Sequence, residues 1–210
     1  MFDFVWIGIL VICAGAWGIL RVNHIKAERE MRWVVLAFVF VFVIRSFLWE
    51  PYKTDGPSMT PTLPDGTLVV VDKSAYGITV PLIDVALLTS YPKVNEIVAF
   101  HHNQDMWIKR VKGNAGDKIL YVAEGWFING VLIAPQTGGT FDVDRFERSL
   151  PSSSRFSDTR QWKETGTFEL TIPSGYFFAM GDNPPHSTDS RTIGVIPYRK
   201  IAGRVYWRGS

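Results

Sequence analysis

The 210-residue chain contains one cysteine, Cys13. A lone thiol can build neither an intrachain disulfide nor a cysteine-based zinc site. That lack of disulfides does not exclude an extracytoplasmic compartment. Histidine is scarce too, with only His24, His101, His102 and His186. His101 and His102 are adjacent, so on a strand they point to opposite faces. No metal site stands out, and no cofactor is expected. There is also no basic face. Residues 1–45 hold five Lys/Arg and three acids, which accounts for the whole net charge of +2; the other 165 residues carry 17 of each sign. That balance excludes nucleic acid as a partner. No glycine loop shaped to cradle phosphate is present, and there are no internal repeats. Beyond residue 50 no long stretch has the 3.6-residue period of a helix.

What the chain has in quantity is apolar surface, with 47% hydrophobic residues unevenly placed. Residues 4–20, FVWIGILVICAGAWGIL, carry no charge. As a helix they span about 26 Å, a little less than a ~30 Å hydrocarbon core. A cleavable signal peptide competes with this reading, because Ala14-Gly15-Ala16 is a small-x-small sequence. Two features weigh against it: Asp3 with no Lys or Arg ahead of the apolar run, and positive charge that follows the run. A second apolar run, Trp33 to Trp49, is broken only by Arg45-Ser46 near its end, where an arginine can reach the headgroups. Between the runs, residues 21–32 carry four Lys/Arg. The positive-inside rule makes that loop cytoplasmic. The expected organisation is a first transmembrane helix and loop (1–32), a second transmembrane helix (33–49) and an exoplasmic domain (50–210).

From Glu50 on, short β-rich runs alternate with turn residues. The expected strands are Thr67–Val71, Glu96–Phe100, Ile108–Lys112, Lys118–Val122, Trp126–Ile133, Thr167–Ile172, Tyr176–Ala179 and Ile201–Trp207. Asn129-Gly130 tolerates the positive φ of a type I′ turn, so 127–132 reads as a hairpin. The fold class is mainly β: an antiparallel β-sheet catalytic domain with a conical or barrel-like core, following the two helices. Residues 136–166 are polar and read as an insertion or long loop without its own core. Ile78–Leu88 reads as buried strands or a β-loop, with a patch resting on the bilayer as the sharper alternative.

Three stretches can carry chemistry. In Gly56-Pro57-Ser58-Met59-Thr60-Pro61, stiff neighbours hold a serine in a turn that can present its hydroxyl and leave its N–H free as an oxyanion donor. Alone, this is an ordinary Gly/Pro turn. In Met106-Trp107-Ile108-Lys109-Arg110-Val111, Lys109 lies in an apolar run and shares a strand face with Trp107, with Ile108 and Arg110 on the other. Desolvation there lowers a lysine pKa toward the ~7–8 useful to a base. A solvated strand lysine is the plain alternative. A triad using His102 or His186 is also open on composition. The third stretch, Gly181-Asp182-Asn183 through Ser190-Arg191, is dense in polar turn residues.

Taken together, Gly-Pro-Ser58-Met-Thr-Pro-Thr-Leu63, Ile108-Lys109-Arg110-Val111-Lys-Gly113-Asn-Ala-Gly116-Asp117 and Gly181-Asp182-Asn183-Pro-Pro-His-Ser187-Thr-Asp189-Ser190-Arg191 resemble the ordered signature boxes of bacterial type I signal peptidases. The exit Arg45–Pro51 from the second apolar run is similar as well. The resemblance runs from about Arg45 to Arg191. It implies a membrane-bound Ser/Lys endopeptidase that removes signal peptides from exported preproteins after small-x-small sites. Ser58 matches the nucleophile, Lys109 the neutral general base, and Ser187 the serine that orients the lysine amine. Asp182, Asp189 and Arg191 match a supporting charge network. Met59, Leu63, Trp107 and Ile108 match the substrate-binding apolar lining. Implied partners are signal-peptide-bearing preproteins, the lipid bilayer and the secretion translocon, at the bacterial cytoplasmic membrane with the catalytic domain on the extracytoplasmic face. The chain departs from the family pattern in places. Gly56 stands where a Ser or Thr often supplies a second oxyanion donor, Pro184-Pro185-His186 replaces a usual Arg-Asp-Asn, and Trp107 often corresponds to tyrosine. Other readings are a dedicated peptidase of the same mechanism, of conjugation, pilin-processing or organellar type, and a silent peptide-binding β-domain. A Ser-Lys self-cleaving regulator fits poorly with two anchors.

Overall fold

The computed structural model describes residues 48–80, 85–88, 90–135 and 166–208, with isolated positions at 33, 36, 37, 39, 40, 146, 148 and 150. Met1–Trp49 and Glu50–Ser210 form separate compact units. The expected transmembrane segments 4–20 and 33–49 lie almost wholly outside the described residues. The positions described between 33 and 40 are helical. Among the described residues no helix is long and apolar enough to cross a membrane.

The second unit is built from strands. Seven of them form one sheet in the order β1 (Trp49–Lys53), β2 (Leu68–Asp72), β13 (Ile201–Trp207), β5 (Ile97–His102), β6 (Asp105–Asn114), β11 (Tyr176–Met180) and β12 (Ile196–Pro197). A four-stranded sheet has the order β10 (Phe168–Thr171), β7 (Lys118–Val122), β8 (Gly125–Ile128) and β9 (Val131–Pro135). Gly77–Val80 (β3) and Val85–Leu88 (β4) pair antiparallel, so the described parts of the 78–88 segment are strands. The pairings among β2 to β13 are antiparallel. Among the described residues β1 and β12 are the edges of the main sheet. Asn129 and Gly130 take φ of 49° and 79°, as the β8–β9 turn requires.

Alternation along the strands sorts side chains into cores on the two faces of the main sheet. On β5, Ile97 and Ala99 join Val69, Val71, Val205, Met59, Leu63 and Ile108 in one apolar cluster. Val98 and Phe100 instead join Val111, Phe177, Ala179 and Tyr198, with Trp107 half-buried against them. A third cluster fills the space between β11 and the four-stranded sheet, through Phe178, Met180, Trp126, Ile128 and Phe168. Pairing of β11 with β6 runs Phe178↔Gly113 and then Ala179↔Val111, which leaves Lys112 as a bulge. The extra residue turns Gly113 toward Ile128 and Ile172 while Val111 stays in the opposite core.

Phe146 and Leu150 belong to the expected insertion. Both are buried in the core between β11 and the smaller sheet, with Phe146 edge-on to Phe168 at 5.1 Å between ring centroids. The polar texture of 136–166 hid these two anchors. Truncating Phe146 to Ala removes a fully buried ring. The expected cost is about 3–5 kcal/mol, measured by equilibrium unfolding in detergent; a loss below 1 kcal/mol would show that the segment is not anchored there.

Candidate active site

β1 runs into a loop stapled at its base. Thr54 N–H donates to the Thr67 carbonyl at 2.9 Å, and its hydroxyl donates to the Pro64 carbonyl and accepts from Thr67 N–H, each at 2.9 Å. Gly56 follows at φ 82°, a conformation that side chains rarely adopt. Its N–H is held by the Asp65 carboxylate at 2.9 Å. A short 3₁₀ turn, Pro57–Met59, then sets Ser58 in a half-buried position and drives Met59 into the core. Pro57 suits the start of such a turn, since its ring fixes φ and no N–H is needed there.

β6 carries Lys109 beneath this turn. Its Nζ lies 2.7 Å from Ser58 Oγ, a hydrogen bond between residues 51 apart in sequence. Lys109 is only 5% exposed. Its amine also sits 5.6 Å from the centre of the Trp107 ring, consistent with the shared strand face. Burial lowers the Lys109 pKa, and the negative charge of Asp189 opposes that shift in part. Desolvation prevails, which favours the neutral amine that a base requires. The serine's polar partner is therefore this lysine. His102 instead packs its ring on Trp107 at 4.5 Å, and His186 is exposed on another turn.

The segment after β11 presses on the Ser58 turn from the other side. Asn183 N–H donates to the Ser58 carbonyl at 3.0 Å, and its side-chain Nδ2 donates to the Pro57 carbonyl at 3.1 Å. Gly181 lies so close that a Cβ there would overlap the Ser58 carbonyl and Ser187 Oγ. Ser187 Oγ is therefore beside the Ser58 turn. It is buried and has no hydrogen-bond partner among the described residues. The contact to the lysine amine that the resemblance implies for it is not made in this structure.

The three residues expected to form one charge network fall into two pairs. Asp189 is fully buried at the N-cap of a four-residue helix, α1 (Ser190–Ile193). It accepts from Arg191 Nε at 2.8 Å, from Arg191 Nη2 at 2.9 Å and from Gly181 N–H at 3.0 Å. Arg191 also donates to the Pro184 carbonyl at 2.8 Å, so the pair supports the Pro184–His186 turn despite its unusual sequence. Asp182 pairs with Arg110, from Nε at 2.8 Å and from Nη2. Burial alone would raise the Asp182 pKa; the hydrogen bonds from Arg110 and Thr62 and the nearby positive charges outweigh it and hold the carboxyl low. Arg110 was missed by sequence reasoning because strand alternation turns it away from Lys109. Asn183 and Gly181 fall within a signature stretch, but nothing in the sequence alone assigns them a role.

Of the four residues expected to line the substrate pocket, Met59, Leu63 and Ile108 gather in one buried cluster with half-buried Tyr52 and Met106 at its side. Trp107 lies with the opposite core, beside Lys109. The polypeptide thus brings a buried amine onto a serine hydroxyl, next to an apolar wall and a strand. A family model described as signal peptidase, peptidase S26, matches residues 27–209.

The chain belongs to the peptidase S26 signal peptidase family.

Signal peptidase I of Pseudomonas aeruginosa is 33% identical over 196 residues, covering 79% of this chain and 66% of that protein. Signal peptidase I of Pseudomonas fluorescens is 32% identical over the same coverage. This signal peptidase family member therefore spans just under two thirds of the Pseudomonas proteins. Signal peptidase IB of Staphylococcus aureus is 30% identical over 195 residues, covering 85% of this chain and 88% of that protein. A crystal structure of a signal peptidase I from Enterococcus faecalis aligns at 24% identity over 55% of this chain and 97% of that one, with a TM-score of 0.34.

Two outcomes follow from this geometry. Gly181→Ala forces its methyl group into the Ser58 carbonyl, and such overpacking costs about 1–3 kcal/mol; a thermal midpoint equal to wild type would contradict the close approach. Lys109 gives stability a pH slope. Below about 10.4 an unfolded lysine takes up a proton, while the folded amine stays neutral down to its own lowered pKa. The unfolded state then binds more protons, so stability rises with pH across that window. Lys109→Met removes this contribution, seen as a flatter curve of unfolding free energy against alkaline pH.

Proposed function

We propose that this chain is a membrane-bound serine endopeptidase that removes N-terminal signal peptides from exported preproteins, with Ser58 as nucleophile and neutral Lys109 as general base. The observation that carries the reading is the 2.7 Å contact between a buried lysine amine and the serine hydroxyl. Family membership supplies the substrate class. A heavy-atom distance of that size serves proton transfer in either direction.

In the first step Ser58 Oγ bonds to the scissile carbonyl carbon, and its proton passes to Lys109 Nζ. The carbonyl π pair moves to oxygen, which becomes an oxyanion held by the Ser58 N–H. As the tetrahedral intermediate collapses, the C–N bond breaks and the Lys109 ammonium returns its proton to the leaving amine. An ester on Ser58 remains. Lys109 then takes a proton from water as the water attacks that ester, and returns it to Ser58 Oγ when the acid leaves. Ser187, buried beside the turn, is read as the group that orients the amine when substrate is bound. Asp189–Arg191 and Asp182–Arg110 keep the turn and the base strand in register.

Substrate addition as an extended strand has a natural place. β5 covers one edge of β6 from Asp105 to Arg110, whereas β11 covers the other edge only from Arg110 to Asn114. Among the described residues no strand pairs with the second edge of Asp105–Lys109. A cleavage segment aligned there by main-chain pairing would bring small side chains to Met59, Leu63, Ile108 and Trp107. The two apolar runs before Glu50 are read as transmembrane anchors with the catalytic unit outside a bacterial cytoplasmic membrane. A substrate tethered in the same bilayer then meets the dyad at high effective concentration. Ser58 is nine residues beyond Trp49 in sequence, a reach of at most ~30 Å.

Cleavage of a preprotein bearing an Ala-x-Ala site, by the full chain in detergent, tests the reading. Ser58→Ala and Lys109→Ala are each expected to lose more than 10³-fold in kcat/KM; wild-type turnover by either would refute the dyad. Because only the neutral amine acts, activity should fall on the acid side through the lowered Lys109 pKa, well below the limb of a solvated lysine. A limb that vanishes on replacing His102 or His186 would assign the base to histidine instead.

A further inference from the structure

The peptide linking Pro57 to Ser58 holds the group on which the oxyanion depends. Gly56 offers no hydroxyl, so the Ser58 N–H is the donor this turn can supply. Among the described residues no acceptor is paired with that amide. A trans peptide is rigid and planar, and its C=O and N–H point in opposite directions. The direction of the Ser58 N–H is therefore set by whatever holds the Pro57 carbonyl.

Two donors hold it. Thr60 N–H closes the 3₁₀ turn on the Pro57 carbonyl at 3.1 Å, and Asn183 Nδ2 donates to the same oxygen at 3.1 Å. Asn183 also fixes the far side of the serine, through its own N–H on the Ser58 carbonyl at 3.0 Å. Asn183 is itself immobilised. Its carbonyl accepts from His186 N–H at 3.0 Å, and the ring of Pro184 restricts its backbone, found at φ −113° and ψ 81°. One residue thus grips both carbonyls that flank the Ser58 amide, from a segment 126 residues away.

We propose that Asn183 is a positioning residue for the oxyanion hole: its side-chain amide holds the Pro57–Ser58 peptide plane so that the Ser58 N–H faces the developing oxyanion. It touches neither substrate nor the dyad amine. This role rests on the Ser58/Lys109 peptidase reading. The alternative is a loop clamp that only keeps the two segments together.

The test compares wild type, Asn183→Leu, Asn183→Ala and Ser58→Ala as full chains in detergent. Asn183→Leu keeps the branched shape, adds no charge and removes the side-chain amide with its Nδ2 donor. Loss of a whole oxyanion donor costs about 10²–10³-fold, so misorientation of this one should lower kcat on the preprotein by about tenfold or more. KM should stay within about twofold, and the acidic limb set by Lys109 should not move. Affinity for a peptide boronate, which forms a tetrahedral adduct on the serine, should fall in parallel with kcat/KM. Affinity for an uncleavable ground-state peptide should hold. Unchanged kcat, a loss confined to KM, or undiminished boronate affinity would each overturn the role. If Asn183→Leu melts below wild type, Asn183→Ala decides by the same ratios. If wild-type cleavage does not depend on Ser58, the peptidase reading itself fails and this inference with it; Ser58-dependent cleavage with a fully active Asn183 variant defeats the inference alone.

Discussion

Removing a primary amine from water penalises its charged form, and much of this site is arranged to apply that penalty to one lysine. Lys109 lies buried in mid-strand, with the Trp107 ring beside it and Ser58 as its polar partner. A buried carboxylate nearby, Asp189, works against the same shift. Its charge is largely satisfied by Arg191 and the Gly181 amide, which limits how strongly it draws a proton to the lysine. The balance is one of geometry. The acid must be close enough to brace the segment after β11 and yet spent on other partners.

The strand pattern was largely legible in the sequence, because short alternating runs between Gly, Pro and Asn have one economical interpretation. Eight expected runs each overlap the strands found, within a residue or two at their ends except that β6 begins at Asp105, three residues before Ile108, and Trp126–Ile133 is split into β8 and β9 by its Asn-Gly turn. β1 was missed because it begins at Trp49, where the apolar run preceding it masks any alternation. β12 was missed because two residues carry no periodicity at all.

The site was legible in a different sense. Nothing local marks Ser58 or Lys109; periodicity puts the lysine on the Trp107 face, and only resemblance couples two residues that the chain holds 51 positions apart. Charge partners were the least legible. Asp182, Asp189 and Arg191 sit within ten residues of one another, and proximity in sequence suggested one network. The strand geometry instead sends Asp182 to Arg110 on β6, a residue whose alternation points it away from Lys109. Short-range order in sequence is a poor guide where two segments cross.

The bulge at Lys112 gives the length of β6 a meaning of its own. Lys109 and Val111 face one side of the main sheet, and the extra residue lets Gly113 face the other, against Ile128 and Ile172. In a regular strand two residues four positions apart share a face, so it is the bulge that sets Lys109 and Gly113 on opposite sides. Deleting Lys112 would straighten the strand and leave both facings as they are, because a separation of three alternates to opposite sides. Length and bulge are thus one variable on β6: an even separation needs the bulge and an odd one excludes it. A family aligned on this strand should consequently show a one-residue gap at position 112 wherever the bulge is absent.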